Sequence, residues 1–364
     1  MLDPQQSRQR QRRLLALLEE TKLDAVAVGH WRHVYYFSSH LTHWLHQSGL
    51  VLLKEGTCWL TASNKPVQNL AVDESTSFEA QWLATLRQEQ PAVVAQQMAE
   101  FLRKQGARRI GIDASEVSSQ LLTGNEFELL PIDETLHQLR RRKDLDELAL
   151  INGAIACTEK MFERAREIVR AGVTELDVFN ELHAAAVREA GEPLTTYLGN
   201  DFTCGGGGGP PRADRAAREG ELYILDLGPC YRGYFADACR TFAVSEPTEV
   251  QRRACEAVRS CFELIEKLAR PGARCRDIYD TVIQHLKQTA GRAFDHHLGH
   301  GIGLQPHEFP HFNPKWDDVL MEGEVFAIEP ALYGPELRSG IRIENNYLVT
   351  AAGVERLSHT PMNL

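Results

Sequence analysis

Ionisable side chains inside apolar, strand-like segments constrain this fold more than any other feature of the sequence. Asp226 lies in ELYILDLGP, and Glu329 and Glu344 lie in VFAIEPAL and GIRIENNYLV. Burying an unpaired carboxylate costs several kcal/mol or more. The chain must therefore fold so that these acids meet cations. The whole set of candidate metal ligands comprises four carboxylates and one imidazole: Asp226, Asp237, His300, Glu329 and Glu344.

Length and composition are those of a soluble globular protein with two domains. The chain has 364 residues, 43% apolar and 25% charged, and none of its apolar runs reaches the ~18–20 residues that cross a bilayer. A net charge of −10 argues against a general nucleic-acid binder. The N-terminus lacks the apolar core of a signal peptide. The eight cysteines form no C-x-x-C pair, so we expect a cytoplasmic protein with reduced thiols and no membrane partner.

The first ~135 residues alternate between helical and strand-like patterns, which predicts a sheet covered by helices. Apolar spacing indicates helices at Gln9–Thr21 and Ala92–Gln105. Four segments are typical of strands: LDAVAVGH, VYYFSS, GLVLLKEGTCWLTA and RRIGIDA.

A charged stretch, LRRRKDLDELALINGA, predicts the domain boundary. We interpret its basic residues 140–143 as a solvated linker that enters a long amphipathic helix from about Leu145 to Ala171. The predicted domains are therefore residues 1–138 and 139–364.

The second half contains a weak internal repeat. Residues 165–191 and 262–291 share the order helix, glycine turn, helix, glycine, and a strand with a carboxylate follows each copy. Asp226 and Glu329 occupy matching places in the two copies. Each copy then supplies a second acid, Asp237 or Glu344. A pseudo-twofold pair of half-domains around one cleft would bring these acids together.

The two aspartates are separated by a YRG turn that can join antiparallel strands. Such strands would place Asp226 near Asp237, and like charges at that distance repel unless a cation lies between them. Two alternatives stay open for the single residues: Asp226 could cap a turn at Gly228, and Asp237 could pair with Arg240.

His300 lies in the glycine-rich segment LGHGIGL, where the backbone can approach closely. An isolated histidine is more often an ordinary polar residue, but three others are nearby: His296, His297 and His307. Imidazole can bind metal or stabilise an oxyanion. Arg342 lies two residues before Glu344, and this spacing predicts a salt bridge that orients the acid.

The candidate ligands are rich in oxygen and include a single imidazole. Such a set suits Mn²⁺, Co²⁺, Fe²⁺ or Zn²⁺. Two metal ions about 3.5 Å apart can hold a bridging water, lower its pKa and polarise a carbonyl oxygen. Hydrolysis of an amide bond is the natural use of such a centre.

The ordered motifs LDLG, YFADACRTF, GHGIGLQPHE, IEPALY and RIENNYLVT resemble those of the pita-bread metallopeptidases. The resemblance covers residues ~140–364 and implies an α+β catalytic domain with a pseudo-twofold repeat. The N-terminal α/β unit, with LDAVAVGHWRHVYYFSS, is similar to the creatinase-type N-domain. That domain favours the branch of Xaa-Pro aminopeptidases and Xaa-Pro dipeptidases (prolidases).

The resemblance implies a role for each candidate metal ligand. Asp226 would chelate one metal ion, and Asp237 and Glu344 would bridge both. His300 and Glu329 would complete the second position. The implied reaction is hydrolysis of a peptide bond involving proline by a metal-bridging hydroxide.

The resemblance also implies catalytic residues and partners. Glu329 would accept a proton from the metal-bound water, and His296 and His307 would flank the substrate and stabilise the tetrahedral intermediate. Arg342 would support the site. Manganese is the favoured metal, the substrate is a small peptide and the assembly is a homodimer.

One departure from the family pattern keeps other functions open. Gly209 or Pro210 stands about where the family carries a histidine that contacts the substrate. A first alternative is a metal-dependent hydrolase or lyase that acts on a small non-peptide metabolite. A second is a non-catalytic binding module on the same scaffold.

A flexible loop is the expected structure of the glycine-rich segment 204–211.

Overall fold

The computed structural model describes residues 1–364 except 66–67, 115–120, 122–125, 196–198, 200 and 207. The chain divides into two compact units, Met1–Arg140 and Arg141–Leu364. None of the helices within the described ranges combines the length and apolar character that crossing a lipid bilayer requires.

The first unit contains a mixed sheet covered by helices. Its helices are α1 Pro4–Leu18, α2 Trp31–Ser38, α3 Gln90–Lys104 and α4 Asp133–Arg141. Its strands are β1 Ala25–Val28, β2 Ser48–Leu53, β3 Cys58–Ser63, β4 Glu74–Phe78, β5 Gln81–Trp82, β6 Thr85–Leu86, β7 Arg109–Ile112 and β8 Glu128–Pro131. The sheet has the order β4-β3-β2-β1-β7-β8. Helix α3 packs on it, and the rings of Trp59 and Phe101 stack with centroids 4.7 Å apart.

The strand predicted for VYYFSS is wrong, because these residues lie in and directly after helix α2. His30 caps this helix and accepts a hydrogen bond from the backbone N–H of Arg32. Tyr35, Tyr36 and Phe37 are almost completely buried. The β-branched and aromatic composition of the segment therefore reflects burial on several helix faces rather than a pleated strand.

The interpretation of residues 140–143 as a solvated linker is wrong for three of the four residues, since Arg142 alone among them is exposed. Helix α4 continues to Arg141, whose side chain is buried and paired with Glu324. Lys143 is buried too, and its Nζ lies 3.3 Å from Glu308 Oε2. These cations satisfy acids within the second unit, so the basic run is a structural element of its fold.

The second unit has four main helices, α5 Leu145–Ile168, α6 Glu175–Ala190, α7 Glu249–Leu268 and α8 Cys275–Ala290. The strands of its first half are β9 Asp201–Cys204, β10 Leu222–Leu227, β11 Cys230–Tyr231, β12 Tyr234–Phe235 and β13 Ala238–Ala243. Those of its second half are β14 Gly299–Gly301, β15 Glu308–Phe312, β16 Val325–Ile328, β17 Ala331–Gly334, β18 Ser339–Arg342, β19 Asn345–Thr350 and β20 Gly353–Arg356. The main sheets have the orders β13-β10-β9 and β15-β14-β16-β19-β20.

The predicted internal repeat is confirmed by the local structure of the two halves. Both α6 and α8 end at a left-handed glycine, Gly191 with φ 67° and Gly291 with φ 74°. Isolated β-bridges lie at the residue before each of these helices, Thr174 with Ala216 and Arg274 with Val319. Each helix pair buries its apolar face against the sheet of its own half. The repeat therefore places two equivalent strand systems in one unit.

Candidate active site

Asp226 lies on β10, the central strand of the three-stranded sheet. Asp201 on β9 and Cys239 on β13 are directly opposite it. Residues directly opposite each other in antiparallel strands present their side chains on the same face. The sheet thus forms a row of Asp201, Asp226 and Cys239, and Asp237 lies one residue before β13.

The other candidate ligands come from the second half of the repeat. His300 is the central residue of β14, and Glu329 directly follows β16, the antiparallel partner of β14. The backbone N–H of Glu329 donates to the carbonyl of Leu298 at 2.8 Å. Glu344 lies between β18 and β19, and its N–H donates to the carbonyl of Cys239 at 2.9 Å. This last bond joins the two halves at the site.

Two glycines allow the strands around His300 to approach closely. A Cβ atom on Gly299 would overlap the carbonyl oxygen of Ala327. One on Gly301 would overlap the carbonyl oxygen of Phe309. The glycines of LGHGIGL are therefore required by strand packing on both sides of the imidazole.

The five candidate ligands meet in one cluster. Ligand atoms lie within 4.8 Å of one another in three overlapping sets: Asp226, Asp237 and Glu344; Asp237, His300 and His307; and His297, His300 and Glu329. The Nε2 atom of His300 is 3.7 Å from Asp237 Oδ2 and 3.9 Å from Glu329 Oε1. Because the sets share Asp237 and His300, they form a continuous site.

Burial and mutual repulsion dominate the electrostatics of the cluster. Burial, together with the neighbouring carboxylates, raises the pKa of Asp237 and Glu344 well above the usual values. Burial and the charge of Asp226 raise the pKa of Glu329 to about 8. Burial holds the pKa of His300 well below its usual value, so this imidazole is neutral. In the absence of cations the site therefore disfavours the charged form of every one of these acids.

Arg342 is the cation closest to the first aspartate. Its Nη2 atom donates to Asp226 Oδ2 at 2.7 Å and also contacts the carboxylate of Asp201. Its Nε atom is 3.9 Å from Glu329 Oε2. The predicted salt bridge between Arg342 and Glu344 is not found among the described residues. Arg342 is the last residue of β18, and its side chain contacts Asp201 and Asp226 instead.

The alternative pairing of Asp237 with Arg240 is wrong. The guanidinium of Arg240 donates to the carbonyls of Cys239 at 2.8 Å and Glu344 at 2.6 Å, and to Asn345 Oδ1 at 2.8 Å. It thus fixes the backbone that carries Glu344. The capping role considered for Asp226 is not found either, since this residue lies within a strand.

Three buried carboxylate oxygens lack a hydrogen-bond partner among the described residues: Asp226 Oδ1, Asp237 Oδ1 and Glu344 Oε2. Leaving such atoms unpaired is costly. One guanidinium cannot neutralise the acids around it. Oxygen-rich donors with a neutral imidazole fit divalent cations, and the residues present are suited to hold them.

The predicted catalytic side chains surround this cluster. His307 stacks on His300, with ring centroids 3.6 Å apart and planes at 12°. The Nε2 atom of His296 lies 3.2 Å from the hydroxyl of Tyr333, which accepts a hydrogen bond from Arg342 Nη1 at 3.1 Å. Tyr333 thus connects His296 with Arg342.

In its described part, the glycine-rich segment adopts positive backbone φ angles that favour glycine. Gly208 and Gly209 have φ of 136° and 121°, and Gly207 lies outside the described residues. The N–H of Gly209 donates to the carboxylate of Asp201, and its carbonyl accepts from Phe202 N at 2.9 Å. These φ angles favour glycine at both positions, and neither position supplies an imidazole.

Three side chains of the site had no assigned role in the sequence analysis. Asp201 becomes visible only through its register opposite Asp226. Tyr333 directly follows IEPAL in the sequence, but its hydrogen bond with Arg342 depends on the pairing of β17 with β18. The position of His297 between His296 and His300 indicated that it could belong to the site. The spacing alone did not show which way its side chain points.

Comparison with known proteins identifies the family. Residues 149–351 match metallopeptidase family M24, and residues 10–141 match the creatinase/prolidase N-terminal domain. This chain belongs to metallopeptidase family M24. It is 26% identical over 362 residues to a Xaa-Pro dipeptidase of Pyrococcus horikoshii, with 97% of each chain covered. It is 27% identical over 370 residues to one of Pyrococcus furiosus, with 98% of this chain and 99% of the relative covered.

Solved structures of similar proteins have the same fold. An X-Pro aminopeptidase from Thermotoga maritima superposes with a TM-score of 0.81 at 23% identity, covering 97% of this chain and 98% of the other. A prolidase from P. furiosus gives 0.78 at 24% identity, covering 95% and 99%. The predicted fold class is confirmed, namely a creatinase-type domain and a pita-bread domain. The prediction of a metallopeptidase is confirmed as well, and the family implies divalent metal ions.

Proposed function

We propose that this M24 peptidase hydrolyses the bond between a residue and the proline that follows it in small peptides. The similarity over the whole length to Xaa-Pro dipeptidases supports this substrate class. The observation that carries the proposal is the convergence of all five candidate ligands, which come from both halves of the repeat, on one buried cluster.

The chain's own acids would hold two divalent cations. Asp226 would bind one cation, and Asp237 and Glu344 would be shared by both. Each of these three acids offers a carboxylate oxygen within 4.8 Å of the others, and each has one buried oxygen without a hydrogen-bond partner among the described residues. His300 and Glu329 would bind the second. When bound, the cations supply Lewis acidity that activates a water molecule and polarises the scissile carbonyl.

Each remaining side chain would orient groups or move a proton. Glu329 would accept a proton at its carboxylate and pass it to the leaving proline nitrogen. His307 and His296 would donate hydrogen bonds to the oxygen that develops charge. Arg342 would hold Asp226 in its ligand orientation, and Tyr333 would keep Arg342 aligned with His296.

The test is a panel of peptides assayed with added Mn²⁺. Xaa-Pro dipeptides and longer Xaa-Pro peptides should be cleaved, while matched peptides with alanine in place of proline should not. Cleavage of the dipeptides alone would define a dipeptidase. Equal cleavage of the alanine series would contradict the proline preference, and no cleavage of any member would reject the peptide substrate.

A second candidate function has a specific observation in its favour. Gly209 or Pro210 stands about where the family resemblance predicts a histidine, and the N–H of Gly209 donates a hydrogen bond to the carboxylate of Asp201. This change alters the substrate side of the site and leaves the metal ligands intact. A metal-dependent hydrolase or lyase of a small non-peptide metabolite is therefore the alternative, and it would be favoured by an inactive peptide panel with normal metal content.

Replacing His307 by alanine should lower kcat by roughly 10²-fold with little change in KM. The reason is that a hydrogen bond formed to the developing oxyanion acts in the transition state only. Steady-state kinetics on the best Xaa-Pro peptide measures the effect, and His359→Ala, an exposed histidine, serves as the control. A change in KM alone would reassign His307 to substrate positioning.

The metal, the domain boundary, the cellular compartment and the oligomeric state belong to the same proposal. We infer manganese as a physiological metal, with Co²⁺, Zn²⁺ and Fe²⁺ compatible with the donor set. We also infer functional domains of residues 1–138 and 139–364, whose boundary lies two residues before that of the compact units. The protein acts as a cytoplasmic homodimer. Metal analysis and light scattering of purified protein test the metal content and the oligomeric state.

A further inference from the structure

A second imidazole lies on the His300 side of the cluster. His297 directly precedes the residue that leads into β14, and its Nδ1 atom is 3.2 Å from Glu329 Oε1. Its ring is 5.3 Å from the ring of His300 and 5.6 Å from that of His307, each at a steep angle. One nitrogen of His297, one of His300 and a carboxylate oxygen of Glu329 all lie within 4.8 Å of one another.

The contact between His297 and Glu329 is not a hydrogen bond. The Nδ1 atom is buried and has no hydrogen-bond partner among the described residues, although the carboxylate oxygen is 3.2 Å away. An unpaired buried nitrogen beside a carboxylate oxygen is costly if nothing lies between them. The same two atoms, each with a lone pair available, are suited to share one cation.

We propose that His297 is an additional metal ligand, which gives one half of the metal centre two imidazoles and one carboxylate of its own, besides the two acids that both cations would share. This inference deepens the proposed function and rests on the metal centre described there. The other half, built from Asp226, Asp237 and Glu344, is entirely oxygen-based. The two halves therefore differ in their preferred ion.

Ligand chemistry sets the direction of this difference. Imidazole suits Zn²⁺ and Fe²⁺, whereas carboxylate oxygens suit Mn²⁺ and Mg²⁺. Two histidines and one glutamate form the ligand set of a known class of zinc sites. The half that contains His297 and His300 thus selects Zn²⁺ over Mn²⁺, and the oxygen-based half retains Mn²⁺.

The experiment measures metal binding without any substrate. Metal-free protein is titrated with Zn²⁺ and with Mn²⁺ by calorimetry, in the wild type, in His297→Ala and in the exposed control His359→Ala. His297→Ala should weaken Zn²⁺ binding at one of two sites by at least about tenfold. Mn²⁺ binding at the other site should stay close to that of the wild type, because its oxygen ligands are unchanged. The control should match the wild type in both titrations.

Unchanged Zn²⁺ binding in a folded His297→Ala variant would overturn the proposal. A crystal structure of the wild-type protein soaked in Zn²⁺ gives a second measurement that needs no variant. A ligand nitrogen lies roughly 2.0–2.1 Å from zinc, and a His297 Nδ1 atom more than about 3 Å from the ion would equally reject it. An inactive peptide panel would count against the proposed function and would leave these binding results unaffected.

Discussion

Replacing Asp237 by asparagine is expected to abolish peptide hydrolysis and to remove metal ions from the site. Asp237 belongs to two of the ligand sets, one with Asp226 and Glu344 and one with His300. Its amide replacement keeps the shape but loses the charge that two cations would share. Because Lewis acidity contributes several kcal/mol, turnover should fall by at least about 10³-fold.

The same substitution should stabilise the protein when no metal is present. Asp237 is buried among carboxylates that repel its charge and raise its pKa, and asparagine removes that repulsion. Thermal unfolding in chelator should therefore show a higher Tm for Asp237→Asn than for the wild type. Added Mn²⁺ should raise the Tm of the wild type and leave the variant unchanged.

The control is Asp280→Asn, which changes an exposed acid on helix α8. It should match the wild type in kcat, in metal content and in both unfolding curves. Retention of two metal ions by a folded Asp237→Asn protein would show that Asp237 does not bridge them. A lower Tm in chelator would mean that Asp237 stabilises the site by a contact other than one with a cation.

The sequence was sufficient for the parts of the site that depend on local pattern. Asp226 and Glu329 stand out because each acid interrupts or ends an apolar strand, and the repeat relates them. The Gly-rich setting of His300 follows from strand packing that only glycine permits. These features can be read from neighbouring residues, since they reflect burial and steric exclusion.

Long-range register accounts for what the sequence did not reveal. Asp201 faces Asp226 only because β9 pairs with β10 in one register, and a shift by one residue would turn its side chain to the other face. The partner of Arg342 was misassigned for a related reason. Spacing along the chain placed it beside Glu344, whereas strand pairing directs it to Asp226 and Asp201.

Removing the metal ions is expected to make the stability of the site-bearing unit strongly dependent on pH. Burial and the charge of Asp226 raise the pKa of Glu329 from 4.5 to about 8 in the folded, metal-free protein. A raised pKa means that the folded state holds a proton that the unfolded state releases. The resulting stabilisation is complete below pH 4.5 and is lost as the pH rises through about 8. Asp237 and Glu344 act in the same direction.

Bound cations should reverse this dependence, because they bind the deprotonated carboxylates. An ion present at 100 times its Kd adds about 2.7 kcal/mol to the free energy of unfolding. Thermal unfolding would be measured between about pH 5 and pH 8.5, a range that roughly spans the raised pKa of Glu329. Protein in chelator would be compared with protein reloaded with Mn²⁺. The Tm in chelator should fall across this range, and the difference between the two samples should widen. Equal Tm values at every pH would mean that the buried acids are neutralised by the protein itself, with Arg342 as the principal cation.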